Sequence, residues 1–512
     1  MNQRKLGTII SYMQMALGVV ISLIYTPYMI QKLGQSEYGL YNTVASTISM
    51  MSVLSLGFNS SYIRYYSKYK KNQEAENIKK LNGMFILIFS VIGFVALLCG
   101  LYLSNHLHIV FSSGLTDSEY NLARKLLVLL TINLALSFPM SVFADIISAH
   151  ERFVFLKLLG VIKTVCSPLI AIPLLFMGYR SVAIVIVTII LALFTDVMYL
   201  FFVLFRLKEK FKFTSFEHGL FKEIFIYTFF IAINIVVDQI NWNIDKLLLA
   251  RYKGTVAVAV YSVGYTLNNY YSMISTAVSG VFTPLVHRII NETHNKPETQ
   301  KEQLTALFIR VGRIQFLILG LVSTGLIFFG KEFINFWAGA GYEDAYYVVL
   351  LLALPATIPL IQNVGIEIQR AENKHQFRSI VYLIMAIFNL VVSIFLCQIW
   401  GAIGSAVGTA ISLLLANGLL INIYYHKHCN IDVIAFWNSI IHMLRGFIIP
   451  VIVGTIIKEV LHFNSLIQMV VCIILYTISY CFGVWMFSMN KYEKELALKP
   501  ICKILKKGEI KI

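Results

Sequence analysis

Apolar runs of about twenty residues recur from one end of this chain to the other, and no other feature constrains its fold as strongly. The hydrocarbon core of a bilayer is about 30 Å thick, which a helix crosses in about twenty residues. Within that core every backbone N–H and C=O must be satisfied by the segment itself or by closed pairing, so only helices and barrels span it. A barrel would show short alternating strands, whereas these runs are long and continuous. They predict transmembrane helices near 6–30, 40–62, 82–104, 124–148, 155–177, 181–205, 220–249, 255–286, 306–329, 345–369, 378–399, 402–425, 441–461 and 464–488. The fold class expected is an all-α polytopic membrane protein with about 14 transmembrane helices. Composition agrees: of 512 residues, 58% are hydrophobic and 13% charged, about half the charged share of a soluble chain. The first run holds Gln3, Ser11, Gln14 and Gly18 without a small-residue cleavage site, so a retained helix is expected rather than a signal peptide.

The net charge of +16 has to be read loop by loop. With a cytoplasmic N-terminus, 32 of the 42 Lys and Arg fall on the cytoplasmic side and 8 on the outer side; Lys163 and Lys246 lie within runs. That bias predicts an N-in, C-in topology and an even number of spans. It explains the basic balance without a nucleic-acid partner. The seven cysteines are scattered with no Cys-x-x-Cys, so neither a disulfide framework nor a zinc site is expected. His426-x-His428 alone is a poor ligand set. No phosphate-binding Gly-x4-Gly-Lys-Ser/Thr loop is present, and neither a cofactor nor a metal is expected.

The chain repeats itself at an offset near 220 residues. Gly34 with Tyr41 matches Gly254 with Tyr261, both Gly-x6-Tyr; Pro139 matches Pro359, Asp145 matches Glu367, Ala149 matches Ala371, and Gly178 matches Gly401. Six helices fit one repeat. Because six is even, the two copies share an orientation and their pseudo-twofold axis runs along the membrane normal. The division expected is an N-lobe over 1–215, a C-lobe over 216–430, and two further helices with a basic cytoplasmic tail over 431–512. The lobes would flank a central cleft. Pro139, Pro168, Pro173, Pro355 and Pro359 should bend their helices.

Ionisable residues inside such runs are costly, at least ~2.5 kcal/mol each, and usually face a cavity or a partner. The seventh run holds Asp238, Asp245 and Lys246. At ~100° per residue Asn234, Asp238, Asn241 and Asp245 form one polar stripe on a largely apolar helix. Lys163, Asp196, Asp145 and Glu367 lie within or at the ends of other runs, and Arg64 and Arg313 near helix ends. The expected cation set for an anionic headgroup is Lys246, Lys163, Arg64 and Arg313. For ion coupling or internal ion pairing the candidates are Asp238, Asp245, Asp196, Asp145 and Glu367. Polar seams at helical spacing run through Asn42, Ser46, Ser49 and Ser52, and again through Ser262, Tyr265, Asn269, Ser272, Thr276 and Ser279. Such seams serve helix packing or line a polar path.

The segment Leu33-Gly34-x-x-Glu37-Tyr38-Gly39-Leu40-Tyr41, with its mid-chain counterpart Asp245-Lys246-Leu-Leu-Leu, Gly254 and Tyr261, resembles the signature of polysaccharide exporters. Together with fourteen spans in two six-helix lobes plus two, the chain resembles a Wzx-type O-antigen or capsule flippase of the multidrug/oligosaccharidyl-lipid/polysaccharide exporter superfamily. The resemblance implies a bacterial cytoplasmic membrane protein, not an enzyme, that moves polyprenyl-diphosphate-linked oligosaccharides between leaflets by alternating access coupled to H⁺ or Na⁺. Its partners would be that lipid-linked oligosaccharide, the bilayer, and a polysaccharide polymerase and glycosyltransferases. Lys and Arg would meet the diphosphate, and Asn241, Asn269, Tyr265 and Asn42 the sugars. Three alternatives stay open: a cation-coupled drug antiporter of the same superfamily, a membrane enzyme of glycan assembly, and a peptidoglycan-precursor flippase that shares the architecture and differs in substrate. The short outer loops disfavour the second.

Overall fold

The structure, a computed structural model, describes residues 3–111, 115–213, 218–293, 296–372, 374–460 and 465–498. Among these every regular element is a helix. In chain order they are α1 (Gln3–Met51), α2 (Phe58–Lys71), α3 (Ala75–Asn105), α4 (Asp117–Ala149), α5 (Phe153–Phe176), α6 (Ser181–Phe201), α7 (His218–Tyr252) and α8 (Thr255–Gly280). They continue as α9 (Thr283–Glu292), α10 (Pro297–Trp337), α11 (Ala345–Ile361), α12 (Asn363–Ala371), α13 (His375–Leu413), α14 (Ile421–His428), α15 (Val433–Met443), α16 (Ile448–Val460) and α17 (Leu466–Phe487). The end of the basic tail, with Cys502, and Asn373 lie outside the described residues.

Ten stretches among the described residues are long and apolar enough to cross a membrane. Two of them, 67 and 53 residues long, are each far longer than one crossing of about twenty residues. Both break at a glycine: Gly34 inside α1 (φ 76°) and Gly401 inside α13 (φ 58°). Each is therefore two spans. The pair α11 and α12, bent by 44°, adds one more. The charged α7, 35 residues long, completes the expected fourteen.

The repeat landmarks explain these breaks. Gly34, Gly178, Gly254 and Gly401 all have φ between 58° and 87°, the left-handed region that a side chain disfavours. In sequence they are two pairs about 220 residues apart, and each ends one helix so that the next can return.

Contacts divide the chain into two compact units, 1–263 with 386–408, and 264–385 with 409–512. In the first, an aromatic core joins Phe58, Tyr62, Phe85, Phe89 and Phe138. Pro139 has no N–H for the Ala135 carbonyl. Gly93 of α3 packs where a Cβ would lie 2.4 Å from that same oxygen, so the proline bend and the close α3–α4 approach are one device. In the second unit the α11–α12 bend is stitched by Ser275. Its hydroxyl donates to the Leu360 carbonyl (2.7 Å) and accepts from Gln315 (2.9 Å) and Asn363 (3.1 Å). Pro355 and Pro359 lie within α11 beside that bend, as the sequence led us to expect.

Candidate functional site

The site is built on α7, within the first unit. Asp245 is buried and accepts two hydroxyl hydrogen bonds: Tyr261 Oη to Oδ2 at 2.7 Å and Ser405 Oγ to Oδ1 at 2.8 Å. The tyrosine lies on α8 and the serine on α13, so one carboxylate ties three helices. Tyr261 is also the tyrosine of the Gly-x6-Tyr landmark.

Lys246 is buried at 8% exposure. At ~100° per residue it shares a face with Gln239 and Asn243. These two form a ladder against the end of α1. Asn243 Nδ2 donates to Gln239 Oε1 (2.6 Å) and to Ser49 Oγ (3.4 Å); Ser49 Oγ lies 3.4 Å from Gln239 Oε1, and Gln239 Nε2 lies 3.5 Å from Ser52 Oγ. Sequence reasoning missed both amides. The signal was their i, i+4 spacing with Lys246 three residues further on. Asp238 is exposed and Asn241 partly so, which leaves them on the adjoining stripe. The other side of α7 borders an apolar cavity of about 440 Å³, lined by Met50, Leu54, Cys99, Leu103, Leu247 and Leu248, with Arg251 at its margin.

The remaining candidates are scattered. Lys163 on α5 interacts electrostatically with Asp196 on α6. Asp145 accepts from Asn59 Nδ2 at 2.7 Å. Arg64 is exposed on α2. Asn42 donates back to the Tyr38 carbonyl at 2.8 Å. Tyr265 and Asn269 are partly exposed on α8. Glu367 pairs with Arg370 at 2.8 Å. Arg313 is buried, and its guanidinium donates to both oxygens of Glu493 (2.6 and 2.9 Å), to Ser439 Oγ (3.1 Å) and to the carbonyls of Ser439 (3.3 Å) and Ser488 (2.7 Å).

Two networks had no forecast. Glu37 of the Leu33–Tyr41 segment caps α6: its Oε1 accepts from the Ser181 N–H (2.9 Å) and hydroxyl (2.6 Å), and its Oε2 pairs with Arg180 at 3.3 Å. At the loop end of α4, His150 meets Glu209 at 3.1 Å and Tyr66 at 3.0 Å, while Asn82 bridges Glu209 and Tyr62. Burial alone would raise the Glu209 carboxyl, but hydrogen bonds from His150, Asn82 and Tyr66 and the imidazole charge outweigh it and hold it below the usual glutamate range.

The comparisons fit this architecture. An uncharacterized membrane protein of Methanocaldococcus jannaschii is 21% identical over 488 residues, covering 91% of this chain and 92% of that protein. Among solved structures, the lipid II flippase MurJ in an inward closed conformation matches 97% of this chain and 99% of its own, with a TM-score of 0.68 at 16% identity. A multidrug resistance transporter of the MATE family in an inward-facing conformation matches 82% of this chain and 99% of its own, with a TM-score of 0.62 at 13% identity. The family of polysaccharide biosynthesis proteins matches residues 6–290, more than half of the sequence, and the chain belongs to that family.

Proposed function

We propose that this protein translocates polyprenyl-diphosphate-linked oligosaccharide repeat units from the inner to the outer leaflet of the bacterial cytoplasmic membrane. It would serve surface polysaccharide synthesis, exposing its site alternately to the two sides with N- and C-termini inside. One observation carries the reading. A chain of the polysaccharide biosynthesis family holds a buried lysine on a membrane helix, in line with an amide and hydroxyl ladder. A cation suits a diphosphate, and amides and hydroxyls suit sugar hydroxyls. Lys246 is the headgroup residue of first choice, with Lys163 and Arg64 as further cations; the donors of Arg313 are already engaged by Glu493, Ser439 and Ser488. For coupling to H⁺ or Na⁺, Asp238 is favoured because it is exposed where Asp245 is buried.

The multidrug-transporter likeness motivates a second reading, drug antiport. It leaves nearly a fifth of this chain unmatched, whereas the flippase likeness spans almost all of it. Reconstitution in proteoliposomes with a fluorescent lipid-linked oligosaccharide tests both. We expect wild-type protein to translocate it and Lys246→Ala to lose at least ~100-fold in rate, as when a charged contact of ~3 kcal/mol is removed, while inserting normally. Full-rate transport by Lys246→Ala would remove the lysine from the site. Movement of small organic cations with no movement of lipid-linked sugar would establish the antiporter instead.

A further inference from the structure

Arg378 is a cation that the α7 site does not use. It is the fourth residue of α13, which begins at His375. The N-terminal turn of a helix carries partial positive charge, so a cation there stands against the helix dipole. Its partners are neutral. Nη1 donates to Tyr425 Oη at 3.2 Å, Nη2 donates to Tyr382 Oη, and the guanidinium lies 4.6 Å from the centroid of the Tyr382 ring. Among the described residues no carboxylate lies within salt-bridge distance of it. The nearby acids are taken: Glu367 by Arg370 at 2.8 Å and Glu372 by Lys374 at 2.9 Å.

The surroundings hold this guanidinium in place. Tyr382 donates its own proton to Asn417 Oδ1 at 2.8 Å, so a lone pair remains to accept from Arg378. Tyr425 is fully buried, and a Cβ on Gly365 of α12 would lie 2.5 Å from its hydroxyl. Of the five N–H donors of a guanidinium, two are spent on phenols, and the side chain remains partly exposed. Arg313 shows the contrast: there a carboxylate and two serines engage the whole fork. A fixed fork with unspent donors matches the paired oxygens of a phosphate.

We propose that Arg378, oriented by Tyr382 and Tyr425, binds the diphosphate of a prenyl-diphosphate lipid. The lipid half of this assignment rests on the transport reading above; the anion half rests on the unmatched guanidinium alone. The test uses the full-length purified protein and follows its thermal midpoint during titration with farnesyl diphosphate, inorganic pyrophosphate or farnesol. A ligand that binds only the folded state raises the midpoint in proportion to ln(1 + [L]/Kd). Farnesyl diphosphate should stabilise wild type, pyrophosphate should do so more weakly, and farnesol should not. Arg378→Gln should weaken apparent farnesyl diphosphate affinity at least tenfold. Arg378→Lys, which keeps charge but loses the fork, should fall between. Should Arg378→Gln fail to fold, Arg378→Lys and Tyr382→Phe carry the test, each with a several-fold loss. Undiminished affinity in the variants would overturn the site, and pyrophosphate binding as tightly as farnesyl diphosphate would overturn the lipid assignment. Because binding is read without transport, a protein that binds through Arg378 but moves no lipid-linked sugar would sink the transport reading and leave the anion site standing.

Discussion

Arg313 decides between two readings of a buried cation, and its removal has a calculable consequence. The guanidinium and the Glu493 carboxylate are both buried, with side-chain exposures of 10% and 3%. Two parallel hydrogen bonds join them, and three more reach Ser439 and Ser488. The segment 490–498 is thereby tied to α10, while Asn490 and Glu493 cap each other's backbone N–H at 2.9 Å. Arg313→Ala leaves that capping pair intact but strands a buried carboxylate, at a cost of ~3–5 kcal/mol. At ~1.4 kcal/mol per tenfold, opening of the 490–498 segment becomes about 100- to 3,000-fold more frequent. Amide hydrogen exchange followed by mass spectrometry reads this directly, as faster exchange confined to peptides covering 488–498. The paired replacement Arg313→Met with Glu493→Leu removes both charges and should recover about half or more of the loss. Unchanged exchange in Arg313→Ala, together with abolished transport, would refute the tie and return Arg313 to the headgroup set.

Two further outcomes follow from the same geometry. Tyr261→Phe and Ser405→Ala each remove one hydroxyl from Asp245, and each should cost ~1.5–3 kcal/mol of stability as a charge-assisted bond is lost, read as a lowered thermal midpoint; a tolerated double variant would contradict the clamp. Glu209 is held below the ordinary glutamate value of about 4.3, so its contribution is present above that value and is lost as pH falls through its folded-state value; midpoints between pH 3 and 6 should drop in wild type, Glu209→Gln should flatten that acid limb, and an identical limb in both would exclude the coupling.

The spans were legible because bilayer thickness sets a length that hydropathy alone can meet. The breaks were legible because only glycine enters the left-handed region cheaply, and Gly34, Gly178, Gly254 and Gly401 recur at one spacing. The site was legible only in part. Charge drew attention to Asp238, Asp245 and Lys246, yet the hydrogen-bonded ladder runs along Gln239 and Asn243, one stripe over from the two carboxylates. Amides have no net charge to announce them, and which stripe meets Ser49 depends on the rotation of α7 against α1, which no local pattern encodes. The pairing of Arg313 with Glu493 spans 180 positions and was equally hidden. The contact of Arg378 with Tyr425 spans 47 positions and was hidden in the same way.

The segment that carried the family resemblance turns out to be architecture. Gly34 turns the chain, Glu37 caps α6, and Gly39 sits where a Cβ would lie 1.8 Å from the Thr255 carbonyl, so α1 and α8 cross there in backbone contact. Ser36 continues that junction, bonding both Glu119 and Thr255. Each of these residues is engaged in a turn, a cap or a crossing. A motif of this kind travels with the fold whatever the fold carries, which fits a structural likeness to both a lipid II flippase and a multidrug transporter. Substrate choice must then reside in residues that the shared architecture does not require. On α7 and α13 the residues we propose for this are Lys246 beside the amide ladder and Arg378 with its two phenols, and variation there should change what is carried while leaving the helices in place.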